Sequence, residues 1–370
     1  MKMNAVRLGS LIVVAGFGCL PPSQAAAADA ALRIPAAPDA SESAIYVDGR
    51  IGRDSNFGTK ESPVRSIARA AELLRSPGAA ACIMRLNPGI HVVAKPVALV
   101  TDRDLAGQRL VVEASTLPDD PAWTPEAMPI VINSSGFGEI PGEAPSFVVS
   151  FLVEASHVTL RGLKFHGYPR ANSRYFPVAR FDKTRTDLVV EQCLFVADPN
   201  AAHIQVGVIA HGDGIKVDHC VFYQARNAVV FWENGANAIK TGNALTHSII
   251  VGAGQSAVWT AWPDRNFAFH HNVVARCQRV WIRNADNSST YAAEDCIMVD
   301  NQHRTGIACT DGVHPEPFDL AEHNVTTTGE IALRLVDDLD HPLPRDYLHP
   351  LPGSLGRSLE AGLFRNQPSL

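Results

Sequence analysis

Asp187-Leu-Val-Val-Glu-Gln-Cys193-Leu-Phe and Gly214-Ile-Lys-Val-Asp-His-Cys220-Val-Phe are one pattern written twice. The pattern recurs in His157-Val-Thr-Leu-Arg-Gly-Leu163-Lys-Phe, Ala244-Leu-Thr-His-Ser248-Ile-Ile and Asn266-Phe-Ala-Phe-His-His-Asn272-Val-Val. It returns in Tyr291-Ala-Ala-Glu-Asp-Cys296-Ile-Met and Phe318-Asp-Leu-Ala-Glu-His-Asn324-Val-Thr. One position therefore reads Leu163, Cys193, Cys220, Ser248, Asn272, Cys296, Asn324, at steps of 24 to 30 residues. A fixed period of this size marks a stacked repeat. Each copy holds a short strand, a tight polar turn and a second apolar strand. A third strand follows, as in 227–232, 256–260, 280–283, 306–309 and 332–335. Three short strands per repeat predict an all-β parallel β-helix, with coils stacked about 4.8 Å apart.

Stacking gives the repeated position its chemistry. A residue there sits above its equivalent on the next coil, where Asn, Ser or Cys can fill the turn and bond along the stack. Cys193, Cys220 and Cys296 read as ladder residues, with a Cys193–Cys220 disulfide as the alternative. One residue earlier the column is Gln192, His219, His247, His271, Asp295, His323. Histidines in register invite a metal. The weightier explanation is a turn with unusual φ/ψ, which Asn, Asp and His tolerate.

A solenoid needs its ends covered. Residues 63–75 carry helical apolar spacing at Val64, Ile67, Ala68, Ala71 and Leu74, with Ser62 as N-cap and Pro63 at the first helical position. This helix is expected to plug the N-terminal end. Strands near 82–86, 110–113 and 130–132 would begin the stack. Residues 29–43 read as a flexible linker, 44–336 as the β-helix, and the Pro- and Gly-rich 337–370 as a tail packing on the solenoid.

Residues 1–28 read as a cleaved signal peptide. Lys2 and Arg7 precede an apolar run from Leu8 to Leu20, and small residues follow in Gln24-Ala25-Ala26-Ala27-Ala28. The run is too short to span a bilayer, and no other stretch is long enough. The expected mature protein is secreted or periplasmic, monomeric and without a membrane span.

Of the 370 residues, 46% are hydrophobic and 19% charged, which excludes a disordered chain. The net charge is −6, so there is no bulk basicity for nucleic-acid binding. The cysteines have no Cys-x-x-Cys spacing, so they do not outline a zinc site.

Tyr46-Val-Asp-Gly, Gly52-Arg-Asp-Ser-Asn-Phe-Gly-Thr59, Ser62-Pro63 with its short helix, and Asn87-Pro-Gly-Ile-His91 resemble the start of pectate-lyase-like secreted β-helix proteins. Leu351-Pro-Gly-Ser-Leu-Gly and Ala361-Gly-Leu resemble their ending. The resemblance covers about residues 45–365. It implies a right-handed, pectin-lyase-like parallel β-helix. It does not choose an activity, because such proteins include lyases, glycosidases, epimerases and non-enzymes.

Alternation on the third strand places Val229, Phe231, Val258, Thr260, Val280 and Ile282 inward. Trp232, Trp259, Trp281 and Arg283 would then face outward, with Arg180, Asp182 and His211 on earlier coils. An exposed aromatic strip suits the flat faces of sugar rings. Arg180, Arg226 and Arg304 beside it suit the carboxylates of an acidic polysaccharide. The leading reading is therefore a polysaccharide lyase acting on a uronate polymer by β-elimination. It requires a base, for which Lys183, His211 and Lys240 are candidates, and a cation against the carboxylate, for which Arg180, Arg279 and Arg283 are candidates. Ca²⁺ is an alternative cation, with Asp182, Asp213 and Asp264 as weak ligand candidates. A glycoside hydrolase would use paired carboxylates from Asp182, Asp213, Glu233, Asp264 and Asp286. A non-catalytic polysaccharide-binding protein would need only the aromatic strip.

Overall fold

The computed structural model describes residues 44–76, 79–100, 108–136, 147–170, 174–233, 242–264, 266–314, 317–335 and 342–365. These belong to one compact unit. The expected signal peptide and linker, and Lys240, lie outside the described residues.

Leu160, Val190, Val217, Leu245, Phe269 and Ala293 are buried one above another, between polar or partly exposed neighbours. They form the inward row of a ten-stranded sheet. Its strands are Ala44–Val47, Ile83–Leu86, Leu110–Ala114, Val158–Arg161, Thr186–Glu191, Asp213–Asp218, Ala244–Thr246, Ala268–His270, Tyr291–Glu294 and Leu320–His323. A second, eight-stranded sheet runs from Ile90–Val93 to Ile297–Val299. Its inward row stacks Phe165 on Phe195 at 4.9 Å and Phe195 on Phe222 at 4.5 Å. Each buried ring contributes roughly 1.5–3 kcal/mol by leaving water, and each aromatic pair about 0.5–1.5 more. The third sheet has nine strands, including Phe147–Val153, Arg174–Arg180, Val206–Ala210, Asn227–Phe231, Ser256–Thr260, Arg279–Asn284 and His303–Cys309. Among the described residues every strand pairing from coil to coil in the three sheets is parallel. The one antiparallel strand in these sheets is Gly312–His314, a hairpin on His303–Cys309. The chain is thus a parallel β-helix, as the repeat and the resemblance predict.

The turn from the first sheet to the second explains the repeated column. Gln192, His219, His247, His271 and Asp295 all have φ between 46° and 56°. Asn324 has φ 54° and donates from its side chain to Asp295. Asn324, not His323, is therefore the last member of that column, because the final copy is shifted by one residue. His323 instead pairs with Glu294 in the sheet. The next position forms the expected ladder: Cys220 N–H donates to Ser248 Oγ at 3.1 Å, and Ser248 N–H to Asn272 Oδ1 at 2.9 Å. Cys193 and Cys220 are both free thiols.

The N-terminal helix is shorter than the spacing predicts. It spans Ile67–Arg75, and Ser66 is its N-cap, accepting from Arg69 N–H at 3.1 Å. Val64 is drawn out of the helix because it bridges Val47. Ile67, Ala70, Ala71 and Leu74 are its buried face. At the other end, residues 332–335 do not add a third-sheet strand, since Leu333 bridges Pro350 instead. Ile331, Leu333, Leu348, Ala361, Leu363 and Phe364 pack on the outer side of the second sheet, against Leu194, Val221, Ile249 and Val273. That part of the sheet is covered on both faces, while Ile90 and Val92 on its first strand stay exposed.

Candidate functional site

The outer face of the third sheet carries the candidate site. Val149, Phe176, Ala179, Val206 and Val230 form an apolar floor there, with Phe147, Phe181, Ile209, Trp232 and Trp259 partly buried against it. Two adjoining clefts lie over this face. One, of about 690 Å³, is lined by residues including Arg174, Phe181, His211, Arg226, Trp232 and Trp259. The other, of about 1220 Å³, includes Arg226, Trp232, Trp259, Arg279 and Asp286. Arg174, Arg226 and Arg279 are basic, while Asp286 alone is acidic among the described lining residues. A cationic groove on an acidic protein attracts anions selectively.

The register corrects part of the expected strip. Val229 pairs with Val258, and Val258 with Trp281. Trp281 is therefore inward and fully buried, packed on Phe267, Phe269 and Tyr291. Its indole N–H donates to Thr260 Oγ1 at 2.9 Å. The cause is a break in alternation early in these strands. Ala228 and Val229, Ala257 and Val258, and Val280 and Trp281 are consecutive residues that all join the core. Strict alternation fails there, and counting from Val280 inverts the strand. Trp232 and Trp259 remain on the groove, in edge contact at 5.6 Å. Trp259 Nε1–H donates to Asn284 Oδ1 at 2.9 Å.

The same register moves two arginines off the groove face. Arg180 pairs with Ala210, an inward position, and is fully buried. It donates to the carbonyls of His211 at 2.7 Å and Asp213 at 3.1 Å, and burial lowers its pKa to about 10. It braces a corner rather than meeting a ligand. Arg283 pairs with Thr260, also inward, and lies over the Phe318 ring at 4.8 Å. Arg304 lies off the groove too, held by Glu322 at 3.2 Å and by the Met298 carbonyl.

Lys183 and His211 are brought together, with Glu233 between them. Lys183 Nζ is 2.8 Å from Glu233 Oε1, and His211 Nδ1 is 4.0 Å from Glu233 Oε2. Burial lowers the His211 pKa, Glu233 raises it, and Arg180 and Lys183 lower it, which together leave it at about 4. The imidazole is thus neutral and half-buried in the cleft wall, edge-on to Phe181 at 6.0 Å. Arg279 does not join this group. It opens its strand while His211 follows its own, and the strands are three coils, about 14 Å, apart along the stack. Arg279 lies against Gly306, with Nη1 donating to Gln278 at 2.9 Å. Arg226 is exposed and donates to Gln255 at 3.0 Å.

The weak Ca²⁺ candidates are dispersed. Asp182 is closed into a turn by Thr184 and Arg185. Asp264 is buried and accepts from Asn243 at 3.0 Å. Asp213 presents its carbonyl to Arg180. No group of three potential ligands among the described residues contains any of them. Sequence reading named Glu233 only as a possible hydrolytic carboxylate. Its place between Lys183 and His211 arises from chain segments 50 and 22 residues away.

No known family model matches the sequence, and no curated protein matches it. Among solved structures the chain is similar to a rhamnogalacturonan lyase, at 14% identity over 71% of this chain and 69% of that one, with a TM-score of 0.40. It is also similar to the GH136 lacto-N-biosidase from Eubacterium ramulus, at 11% identity over 77% and 68% of the two chains, with a TM-score of 0.36. Neither likeness assigns a role to a residue of this chain.

Proposed function

We propose that the third-sheet groove binds an extended acidic oligosaccharide and that the chain is an exported polysaccharide lyase. The observation that carries this reading is a neutral imidazole, His211, facing a cation-lined, aromatic-floored cleft beside the Lys183–Glu233 pair. In β-elimination His211 takes the proton from the carbon next to the uronate carboxylate. The electron pair forms a carbon–carbon double bond as the neighbouring carbon–oxygen bond breaks. The leaving oxygen then takes a proton. Lys183 supplies positive charge for the enediolate that develops on the carboxylate. Substrate carboxylate near His211 raises its proton affinity from the low resting value, as an adjacent anion favours imidazolium. Trp232 and Trp259 offer ring faces and edges to the sugar.

Hydrolysis is the second reading. Glu233 and Asp286 follow third-sheet strands two coils apart, about 10 Å along the stack. Inverting glycosidases hold their carboxyls roughly 6.5–9.5 Å apart, and Glu233 is already paired with Lys183. The deciding experiment incubates the protein with a panel of polyuronates and follows ultraviolet absorbance and reducing ends. Rising absorbance that falls at least about 100-fold in His211→Ala supports elimination, within the usual worth of a general base. Reducing ends without absorbance indicate hydrolysis. Binding without either product leaves a non-catalytic polysaccharide-binding protein.

A further inference from the structure

The positive-φ column on the opposite side of the coil holds three successive histidines, His219, His247 and His271. Tolerance of left-handed backbone accounts for a histidine at each of those turns, but Asn serves equally well at Asn324. It does not account for His270, which ends an ordinary strand directly before His271. The Nδ1 atoms of His270 and His271 are 3.0 Å apart. One ring nitrogen from each of His247, His270 and His271 lies within 4.8 Å of the others. The rings of His247 and His271 are stacked at 4.9 Å, and His270 stands across them at 5.4 and 5.2 Å. All three are partly exposed, so solvent ions reach them.

We propose that His247, His270 and His271 bind one divalent transition-metal ion of the zinc, nickel or copper class, tying two neighbouring coils together. Two imidazole nitrogens on a tetrahedral zinc at roughly 2.0–2.1 Å are about 3.3 Å apart. The His270–His271 pair is already within a few tenths of an ångström of that spacing. His247 joins from the adjacent coil, where its backbone N–H donates to the His270 carbonyl at 3.2 Å. Asp218 supplies the outer support. It takes the Nδ1 proton of His247 at 3.1 Å and is itself held by Thr246 Oγ1 at 2.6 Å and His219 Nδ1 at 2.9 Å. With Nδ1 so engaged, Nε2 of His247 is the nitrogen left for the ion, the carboxylate–histidine–metal arrangement. A set of imidazoles favours zinc, nickel or copper over calcium and magnesium, which prefer oxygen ligands. The fourth position belongs to water.

The test uses full-length protein without a histidine tag, stripped with chelator and titrated with Zn²⁺ and Co²⁺ by calorimetry and absorption. One ion per chain is expected, with nitrogen-type cobalt bands and a raised melting temperature. His270→Gln combined with His271→Asn should weaken binding at least about 100-fold and abolish the melting shift, while Asp218→Asn should weaken it roughly 10–100-fold. His219 bonds Asp218 and stacks on His247 at 4.6 Å, and it forms with those two a neighbouring group that could hold an ion instead. His219→Asn should leave affinity within about threefold if the ion sits at His247, His270 and His271, and a larger loss overturns the proposal. No saturable binding at micromolar metal, or full affinity in the double variant, overturns the proposal. So does loss of binding in Cys309→Ser, which would place the ion at the Cys309, Asp311 and His314 hairpin instead. Asn at position 271 keeps the left-handed backbone. Should the double variant still fail to fold, strong thiolate-to-cobalt absorption in the native protein rejects the histidine site and its absence upholds it.

Discussion

Trp281 and Trp259 occupy the same strand position counted by eye and opposite faces when counted by hydrogen bonds. Both are tryptophans in an apolar stretch, and both donate an indole proton at 2.9 Å. Trp281 does so inside the solenoid, amid Phe267, Phe269 and Tyr291, whereas Trp259 does so on the groove. Trp281→Ala should therefore cost roughly 3–5 kcal/mol of folding stability, as for a large aromatic removed from a core. Trp259→Ala should leave the denaturation midpoint nearly unchanged and weaken oligosaccharide binding about tenfold, near the worth of one well-placed aromatic contact. Chemical denaturation and a binding isotherm on the two variants check both expectations, and a reversed pattern would return Trp281 to the surface. The residue-level chemistry of the ladder was readable directly: a small polar or thiol side chain on each coil from Cys193 to Cys296, bonded along the stack as Cys220, Ser248 and Asn272 are.

At the scale of elements, the segment after the last coil is held by a buried histidine. His349 Nδ1–H donates to the Tyr347 carbonyl at 2.9 Å, and Nε2 accepts from Leu363 N–H at 2.8 Å. Both bonds together require the neutral ring, and burial lowers its pKa from 6.5 to about 4. The unfolded chain therefore binds the proton first as pH falls. Stability from this group is complete above pH 6.5 and is lost as pH drops toward 4, by roughly 3 kcal/mol in all. Protonation places N–H against N–H at Leu363, on the stretch that covers Ile249 and Val273. Thermal melts between pH 7 and pH 4.5 should fall in the native protein, and His349→Gln should flatten that part of the profile. An unchanged slope in the variant would remove His349 from the account. Gly167 sets a second limit on the elements, since a Cβ there would lie 1.9 Å from the Ala202 carbonyl oxygen. That backbone approach was not visible as a periodicity, because it joins a second-sheet turn to a loop that the repeat does not contain.

Across the whole molecule the groove has two ends with different endowments. Lys183, His211 and Glu233 gather where the third-sheet strands finish, while Arg226 and Arg279 lie where they start. One reacting centre cannot touch both sets. Arg226→Gln should raise KM several-fold, steepen with falling salt as expected for an exposed cation meeting a polyanion, and leave kcat nearly unchanged. His211→Ala should lower kcat instead. Steady-state kinetics at two ionic strengths separates these effects, and a kcat loss in Arg226→Gln would merge the two ends into one centre. The sequence by itself determined the β-helix, its period and its ladder, because those follow from local facts: apolar alternation, a turn residue tolerant of positive φ, and a recurrence of 24 to 30 residues. Which residues share the groove was decided only by tertiary structure. Two consecutive core residues, Val280 and Trp281, reverse the faces that Trp281 and Arg283 present, while the burial of Arg180 opposite Ala210 and the meeting of Lys183 with Glu233 depend on register between coils, which no local pattern encodes.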